Sequence, residues 1–402
     1  MITPADIRDP TIACLCIIII LPHSFFHDFT INIISSMQSD LLYQLALSQV
    51  PYIGYVHAKI LALHFGSAAA VFKANKSLLE KIEGIGEIRA SSIKAFKDFS
   101  KAAEEISFIE KYKIHALFLT DKNYPRRLLN CYDPPTMLFY KGTADLNASC
   151  IVGIVGTRGN TEYGKQFTEK FVKDLASLNL LIISGLAIGI DAIAHKSALK
   201  NKLETVGVLG HGLDTIYPSE HSGLAKDMVK NGGLLTEFRS KTKPDKHNFP
   251  SRNRVVAGIC DATILVETGI KGGSMITAEI ANSYNRDVFA VPGRTSDTKS
   301  MGCNHLIKNN KAILLTDAQQ FVEIMGWDNA AARPKTNQKE LFIELSNDEK
   351  IITGLMQEND SISIDDLVLK SGCSSSALAA AILNLELKNV IQSLPGKMYR
   401  LL

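Results

Sequence analysis

Cationic, aromatic and glycine residues are concentrated in one stretch of the chain, from Phe238 to Ala278. Between Arg239 and Arg254 a single acid, Asp245, accompanies six basic residues: Arg239, Lys241, Lys243, Lys246, Arg252 and Arg254. The ring of Phe249 lies inside this run, and a turn made of Lys271, Gly272, Gly273 and Ser274 follows it. Cations, an aromatic ring and free backbone amides are the groups that hold phosphates and stack a base. Charge alone is also typical of a solvated basic loop, but the glycine–serine turn adds a second element suited to an anion.

Glycine-bearing loops follow the other predicted strands as well. In chain order they contain Gly156 with Arg158, Ser184 with Gly185, and Gly210. Glycine lets the backbone approach a ligand closely, and each following helix directs N–H groups toward it. The chain contains neither Gly-x-Gly-x-x-Gly nor Gly-x-x-x-x-Gly-Lys-Ser/Thr. The sequence therefore does not support a dinucleotide site or a Walker-type triphosphate site.

Single residues near these loops have different expected roles. Arg158 follows a strand and precedes a helix, so it is expected to bind a phosphate. Arg252 and Arg254 lie early in a predicted helix, where the positive helix end disfavours cations, and this placement favours a bound anion nearby. The ring of Phe249 is expected either to stack on a base or to fill the core. Asp191 is expected to cap its helix.

The elements that must position these residues form a regular pattern from Ile151 onward. The predicted strands are Ile151–Val155, Leu180–Ser184, Thr205–Leu209, Leu234–Phe238, Ala262–Glu267, Val288–Val291 and Ala312–Leu315. Runs that are apolar at every position are typical of parallel strands buried on both faces. Their alternation with helical segments predicts a doubly wound α/β fold, preceded by a connector, over residues 113–328. Ligands of such folds lie beyond the carboxyl ends of the strands, where the glycine loops would meet.

Smaller domains are predicted on both sides of this fold. Residues 38–112 have the pattern of short helices, and the turn at Gly86 is typical of a helix-hairpin-helix element, with a plain helical bundle as the alternative. Residues 329–340 have the composition of a linker. Residues 341–402 follow the order of a winged helix, with a hairpin turn at Pro395–Gly396. Its second helix, Ser375–Leu387, lacks Lys and Arg, which favours a protein-contact or regulatory role over direct DNA readout.

Composition sets further limits. The 402 residues suggest two to three domains, and the net charge of +3 means that affinity for nucleic acid must come from local clusters. Seven scattered cysteines without a Cys-x-x-Cys pair indicate neither a zinc site nor a disulfide framework. We expect no metal, no other cofactor and a reducing, cytoplasmic location. The apolar run Thr11–Leu21 is too short to span a bilayer, so no membrane partner is expected, and residues 1–36 are expected to be an extension outside the fold, disordered or not native.

Taken together, the strand-end motifs resemble the DNA-processing protein A family (DprA, also called Smf). The matching motifs are Gly156-Thr-Arg158, Ser184-Gly-Leu-Ala-Ile-Gly-Ile-Asp191, Gly210-His-Gly-Leu-Asp214, Asn248-Phe-Pro-Ser-Arg-Asn-Arg254, Lys271-Gly-Gly-Ser-Met-Ile-Thr-Ala278 and Val291-Pro-Gly293. They cover about 140 residues in the order of the family. The flanking domains also resemble those of longer members, which extends the resemblance to residues 38–402.

This resemblance implies an extended Rossmann-like core that forms a homodimer in a cytoplasmic bacterial protein. It implies binding of single-stranded DNA without chemistry on it, and delivery of that DNA to the RecA recombinase in natural transformation or general recombination. The family pattern fixes no catalytic residue, and Phe249 would be the stacking ring. From the motifs and the basic run together, the candidate DNA-contacting residues are Gly156, Arg158, Ser184, Gly185, Lys246, Asn248, Phe249, Arg252, Asn253, Arg254, Lys271, Gly272, Gly273 and Ser274.

An alternative from another function class is hydrolysis. The glycine turn, with Glu267 and Glu279 nearby, also resembles the nucleoside-monophosphate phosphoribohydrolases, which place a carboxylate on a ribose and amides on a phosphate. Those enzymes carry a Pro-Gly-Gly-x-Gly-Thr-x-x-Glu loop, and the present loop, Ile270–Glu279, lacks the proline and the third glycine. A purely structural interaction protein, the third hypothesis, would have no affinity for anions.

Overall fold

The computed structural model describes residues 40–327, 345–357, 361–388, 390–394 and 398–401. The chain divides into two compact units, Met1–Ala331 and Ala332–Leu402. The expected extension at residues 1–36, the expected linker at residues 329–340 and the expected turn at Pro395–Gly396 lie outside the described residues. Their boundaries stay predictions.

Between residues 40 and 112, six helices precede the sheet of the first unit. They are residues 40–47 (α1), Tyr55–Phe65 (α2), Ala68–Lys73 (α3), Lys76–Glu80 (α4), Gly86–Ala95 (α5) and Ser100–Tyr112 (α6). Gly66 ends α2 with φ of 73°, and Ser67 begins α3 by accepting a hydrogen bond from the Ala70 N–H at 3.2 Å. Gly84 and Gly86 have φ of 83° and 60° in the turn before α5. Glycine is therefore favoured at this hairpin, because other residues adopt that conformation less often.

A nine-stranded mixed sheet forms the centre of the first unit, with the strand order β1-β2-β6-β5-β4-β3-β7-β8-β9. The strands are His115–Phe118 (β1), Met137–Gly142 (β2), Ile151–Val155 (β3), Leu181–Ser184 (β4), Thr205–Val208 (β5), Gly232–Thr236 (β6), Ala262–Leu265 (β7), Asp287–Ala290 (β8) and Ile313–Leu314 (β9). All pairs from β6 to β9 are parallel, whereas β2 pairs antiparallel with both β1 and β6. The predicted doubly wound α/β fold is confirmed, and the connector extends the sheet by two antiparallel strands.

Helices cover both faces of this sheet. They are Arg126–Leu129 (α7), Glu162–Asp174 (α8), Ile190–Lys200 (α9), Ser222–Lys230 (α10), Asn248–Ile259 (α11), Gly273–Ser283 (α12), Met301–Lys308 (α13) and Ala318–Met325 (α14). Successive residues of β3 alternate between two cores: Val152 and Ile154 pack with α8, α9 and α14, whereas Ile151 and Val155 pack on the side of α11 and α12. This alternation is the two-residue period of a strand, and burial on both faces explains why β3 is apolar throughout.

The second unit has the predicted winged-helix order. It contains the helices Asn347–Gln357 (α15), Ile364–Ser371 (α16) and Ser375–Leu387 (α17), and the strands Ile362–Ser363 (β10), Ile391–Leu394 (β11) and Met398–Leu401 (β12). Ser363 begins α16 by accepting a hydrogen bond from the Asp366 N–H at 3.1 Å. In the described part of the chain no single helix is long and apolar enough to cross a bilayer. The bent pair Ile364–Ser371 and Ser376–Leu387 meets the length and composition requirements only when both helices are taken together.

Candidate nucleic-acid interface

The chain changes direction across the sheet at β3, with β4 on one side of this strand and β7 on the other. Because β3 lies between β4 and β7, the loops that follow these three strands turn away from one another and leave a crevice at their carboxyl ends. A cavity of about 340 Å³ occupies this crevice. Its lining includes Gly156, Thr157, Arg158, Gly185, Asp191, Phe249, Arg252, Asn253, Thr268, Gly272, Gly273, Ser274 and Thr277.

The structure brings nine of the fourteen candidate residues together in this lining: Gly156, Arg158, Gly185, Phe249, Arg252, Asn253, Gly272, Gly273 and Ser274. The other five, Ser184, Lys246, Asn248, Arg254 and Lys271, are not part of it. The Ser184 hydroxyl donates to the Ile154 carbonyl at 2.6 Å, and the Asn248 amide donates to the Lys243 carbonyl at 3.3 Å. Lys246 and Lys271 are exposed.

The half-buried ring of Phe249 lies close to two guanidinium groups. The Cζ atoms of Arg158 and Arg252 are 5.5 and 5.7 Å from the ring centroid, which is within the range of cation–π attraction. The ring centroid of Tyr217 is 6.4 Å from that of Phe249, with the two planes inclined at 34°. A Cβ atom on Gly210 would lie only 3.0 Å from the Phe249 ring. The glycine after β5 therefore leaves the space that the ring occupies.

The guanidinium of Arg252 is buried and is hydrogen-bonded to groups of the protein itself. One guanidinium nitrogen, Nη1, donates to the Gly185 carbonyl and, at 2.7 Å, to the Val208 carbonyl, while Nε donates to the Asn253 side chain at 3.0 Å. Burial lowers the pKa of Arg252, and the nearby carboxylate of Asp191 opposes that shift. Burial likewise raises the pKa of Asp191, which Arg252 opposes. These groups offset the unfavourable position of the cation early in α11.

The opposite wall of the cavity is the beginning of α12. Gly272 is the N-cap residue, and Gly273 and Ser274 are the first helical residues. The Gly272 N–H donates to the Gly269 carbonyl at 2.9 Å. The N–H groups of Gly273 and Ser274 have no acceptors within the helix, and the helix dipole gives this end a partial positive charge. A Cβ atom on Gly273 would meet no atom within 4 Å, so the amides are open to a ligand. Together with Arg158 this end of the helix provides two separate binding groups for an anion.

Arg254 points away from the cavity, although it is only two residues from Arg252. Its Nη2 lies 2.5 Å from the Glu237 carboxylate, its Nη1 donates to the Asp133 carbonyl, and its Cζ lies 3.9 Å from the ring centroid of Tyr55. The side chains of Arg254 and Glu237 are 8% and 2% exposed. Arg254 thus connects α11 to the segment between α7 and β2, to the end of β6 and to helix α2.

A second connection between the helices and the basic run escaped the sequence analysis. The buried carboxylate of Glu105 on α6 accepts hydrogen bonds from the Ser240 N–H at 3.0 Å and from the Ser240 hydroxyl at 2.7 Å. The next N–H, of Lys241, donates to Asp214 at 2.9 Å. The basic run is therefore held at its beginning by two carboxylates. Glu105 and Ser240 are separated by 135 positions in the sequence, and nothing in the sequence indicated this contact.

Replacing Glu105 with alanine is expected to loosen the segment 238–246 while the sheet stays folded. Hydrogen bonds to a buried carboxylate contribute about 1.5–3 kcal/mol each, so tryptic cleavage after Arg239 and Lys241 should accelerate about tenfold or more. Glu104→Ala is the matched control, because its carboxylate is 66% exposed and pairs with Lys241 in solvent, where ion pairs contribute little. Equal cleavage rates in both variants would contradict a positioning role for Glu105.

The carboxylates near the cavity are poorly placed for acid–base chemistry. Asp191 is the sole carboxylate among the lining residues, and Arg252 lies beside it. Glu267 is buried and accepts hydrogen bonds from the Thr161 N–H at 2.8 Å and from the Thr161 hydroxyl, which begins α8. Glu279 is exposed on α12 and does not line the cavity. The arrangement therefore suits the binding of an anion together with a flat ring.

Three family models match the chain, one for each predicted domain. The model described as DNA recombination-mediator protein A matches residues 115–326. The DprA winged helix domain matches residues 336–397, and the helix-hairpin-helix motif matches residues 41–106.

Individual relatives agree with these matches. Protein Smf of Synechocystis is 33% identical over 397 residues, which cover 90% of this chain and 99% of that protein. The DNA processing protein DprA of Streptococcus pneumoniae is 42% identical over 214 residues, covering 53% of this chain and 75% of that protein. An X-ray structure of DNA processing protein A from Streptococcus pneumoniae superimposes with a TM-score of 0.53 at 33% identity, covering 64% of this chain and 96% of the other.

Proposed function

Since the chain belongs to the DNA recombination-mediator protein A family (DprA, also called Smf), we propose that it binds single-stranded DNA in the cavity beside β3 and does no chemistry on it. The observation that carries this proposal is the convergence in one cavity of an aromatic ring, an exposed cation and an open helix N-terminus. Phe249 provides the ring, Arg158 the cation and Gly273 the bare start of α12. A base can stack on the ring while its phosphates meet the other two groups.

The shape of the site favours a single strand over a duplex. The Phe249 ring is half-buried within the cavity wall, so a base reaches it only after leaving its neighbours in a stack. Unstacking and unpairing a duplex base costs a few kcal/mol, whereas a single strand is already open. Stacking on an aromatic ring tolerates every base. Binding is therefore expected to depend little on sequence.

The family description supports a further part of the proposal. A recombination mediator transfers its DNA strand to another protein. We propose that the RecA recombinase receives the strand and that a homodimer of this chain delivers it.

The cysteines bear on location. Free thiols are present at Cys131, Cys150, Cys260, Cys303 and Cys373, in keeping with a reducing cytoplasm.

Fluorescence anisotropy of labelled single-stranded and duplex DNA at two salt concentrations tests the proposal. We expect tighter binding of the single strand, and a logarithmic affinity that falls by about 0.7 per contacted phosphate for each unit of log salt. Arg158→Ala should reduce this slope by about 0.7, the value of one phosphate contact, whereas substitution of the exposed Lys226 with alanine should leave the slope unchanged. Absence of binding, or equal slopes for the parent protein and Arg158→Ala, would overturn the proposed site. Release of free base from a nucleoside monophosphate would instead support the hydrolase alternative.

A leucine at Gly273 is expected to block the site without unfolding the protein. Its Cβ would meet no protein atom within 4 Å, and Gly273 lacks the positive φ that would strain another residue. The side chain would occupy the space in front of the α12 amides, so we expect affinity for single-stranded DNA to fall about tenfold or more, as when a well-placed charged hydrogen bond is lost.

Gly223→Leu is the control for this substitution. Gly223 also lies at the beginning of a helix, α10, and also has open space around its Cβ position, but it lies outside the cavity. Equal affinities of the two leucine variants, measured by anisotropy at matched thermal stability, would show that the start of α12 does not contact the DNA.

A further inference from the structure

A second concave surface, lined by lysines, lies between α8 and α9. It encloses about 640 Å³. Five of its lining residues are cations: Lys165, Lys170, Lys173, Lys196 and Lys200. Glu169 and Asp174 are its only acids. The chain as a whole has a net charge of +3, so this surface, called the lysine groove below, holds a local excess of charge equal to that of the entire protein.

Most of this charge is available to a ligand. Lys170 pairs with Asp174 at 2.6 Å, and Lys165 lies 3.6 Å from Glu162. Among the described residues, Lys173, Lys196 and Lys200 have no acidic partner within ion-pair distance, and all three are exposed. Like charges so close together repel one another, which is an unfavourable arrangement that a bound polyanion relieves.

Helix α9 begins at the cavity and carries residues of the lysine groove further along its length. Asp191, in the first turn of α9, lines the cavity, whereas Ile193 on the same helix already lines the groove. Ile193, Lys196 and Lys200 follow one another at intervals of about one turn and span about 10 Å along α9. On α8, Lys165 lies in the first turn, seven residues after Arg158. The two helices therefore lead away from the cavity with cations along both.

We propose that the lysine groove binds the phosphates of the nucleotides that flank the base held by Phe249. This inference rests on the proposed function and extends its site. Its lining contains no aromatic side chain, so bases receive no stacking contact there, and lysine acts on phosphate as a point charge. The groove thus adds affinity that is independent of sequence and sensitive to salt, and it acts only on strands long enough to leave the cavity.

The test compares two triple variants across strand length. Lys173→Gln, Lys196→Gln and Lys200→Gln together remove three charges from the groove and keep the aliphatic stems. The control, Lys226→Gln, Lys230→Gln and Lys308→Gln, removes three exposed charges from α10 and α13. Anisotropy is measured with oligo(dT) of about 4 and about 16 nucleotides, the range of common single-strand site sizes.

With the long strand, the groove variant is expected to bind about tenfold more weakly than the parent, with a salt slope smaller by about two units, as three lost phosphate contacts imply. With the short strand, both triple variants should match the parent. Equal losses in the two triple variants would overturn the groove, because a general loss of charge would then explain them. An unchanged long-strand affinity in the groove variant, with binding still dependent on Arg158, would overturn the groove and leave the proposed function intact. Loss of duplex binding alone would assign the groove to duplex DNA and overturn the proposal.

Discussion

Replacing Arg254 with methionine is expected to destabilise the first unit by about 3–5 kcal/mol, the usual cost of removing one partner of a buried ion pair. The substitution leaves the Glu237 carboxylate, which is 2% exposed, without its cation. It also removes the guanidinium that lies over Tyr55 and that donates to Asp133. Urea unfolding monitored by circular dichroism measures the change.

The double variant Arg254→Met with Glu237→Leu should recover most of this stability, because replacing both charges with apolar groups of similar size is often neutral. Its affinity for single-stranded DNA should equal that of the parent, since neither residue lines the cavity. A stable single variant that nevertheless lost DNA binding would contradict this assignment. It would place Arg254 among the DNA contacts that the sequence motif suggested.

Phe249→Ala is expected to weaken binding of single-stranded DNA by about 1–3 kcal/mol, or between five- and 150-fold, which is the contribution of one stacked base. The loss should be similar for every sequence, because stacking tolerates all bases. Phe249→Trp should retain binding, since indole offers a larger flat face. Anisotropy with homopolymeric strands of different bases measures both effects.

Tyr132→Ala is a suitable control for Phe249→Ala. Tyr132 is 64% exposed and does not line the cavity, so removing its ring should leave affinity unchanged. The alternative role of Phe249, filling the core, predicts a different outcome. In that case Phe249→Ala would lower the unfolding midpoint and Phe249→Trp would fail to fold, while binding per folded molecule stayed constant.

The apolar strands of the sheet were predicted well from the sequence. A strand whose glycines lie against neighbouring residues was predicted less well. The strand before the basic run was expected at Leu234–Phe238, but β6 is Gly232–Thr236. A Cβ atom on Gly232 would lie 2.0 Å from the Thr205 carbonyl oxygen, and one on Gly233 would lie 2.4 Å from the ring of Tyr140. These glycines are therefore required inside the strand. No propensity scale indicates this, because it depends on the partners that the fold brings.

The site was predictable to a similar degree. Loops that follow parallel strands must share one edge of the sheet, so the meeting of Arg158, Gly185 and Gly273 follows from the strand pattern. Arg252 and Arg254 seemed equivalent in the sequence, yet residues two apart on a helix point about 200° apart. One therefore lies beside the cavity and the other against Tyr55. The contact of Glu105 with Ser240 has no local signature at all.

The floor of the cavity also restricts how this protein changes through evolution. A Cβ atom on Gly185 would lie 2.3 Å from Nη1 of Arg252 and 2.7 Å from Asp191, and that nitrogen is held by two carbonyl groups. A single codon change at Gly185 therefore displaces a buried cation from its partners. Loss of Arg252 first would leave Asp191 buried without its neighbouring charge. Because a change at any one of these three residues disturbs the other two, we expect this trio to vary less than the exposed lysines along α8 and α9.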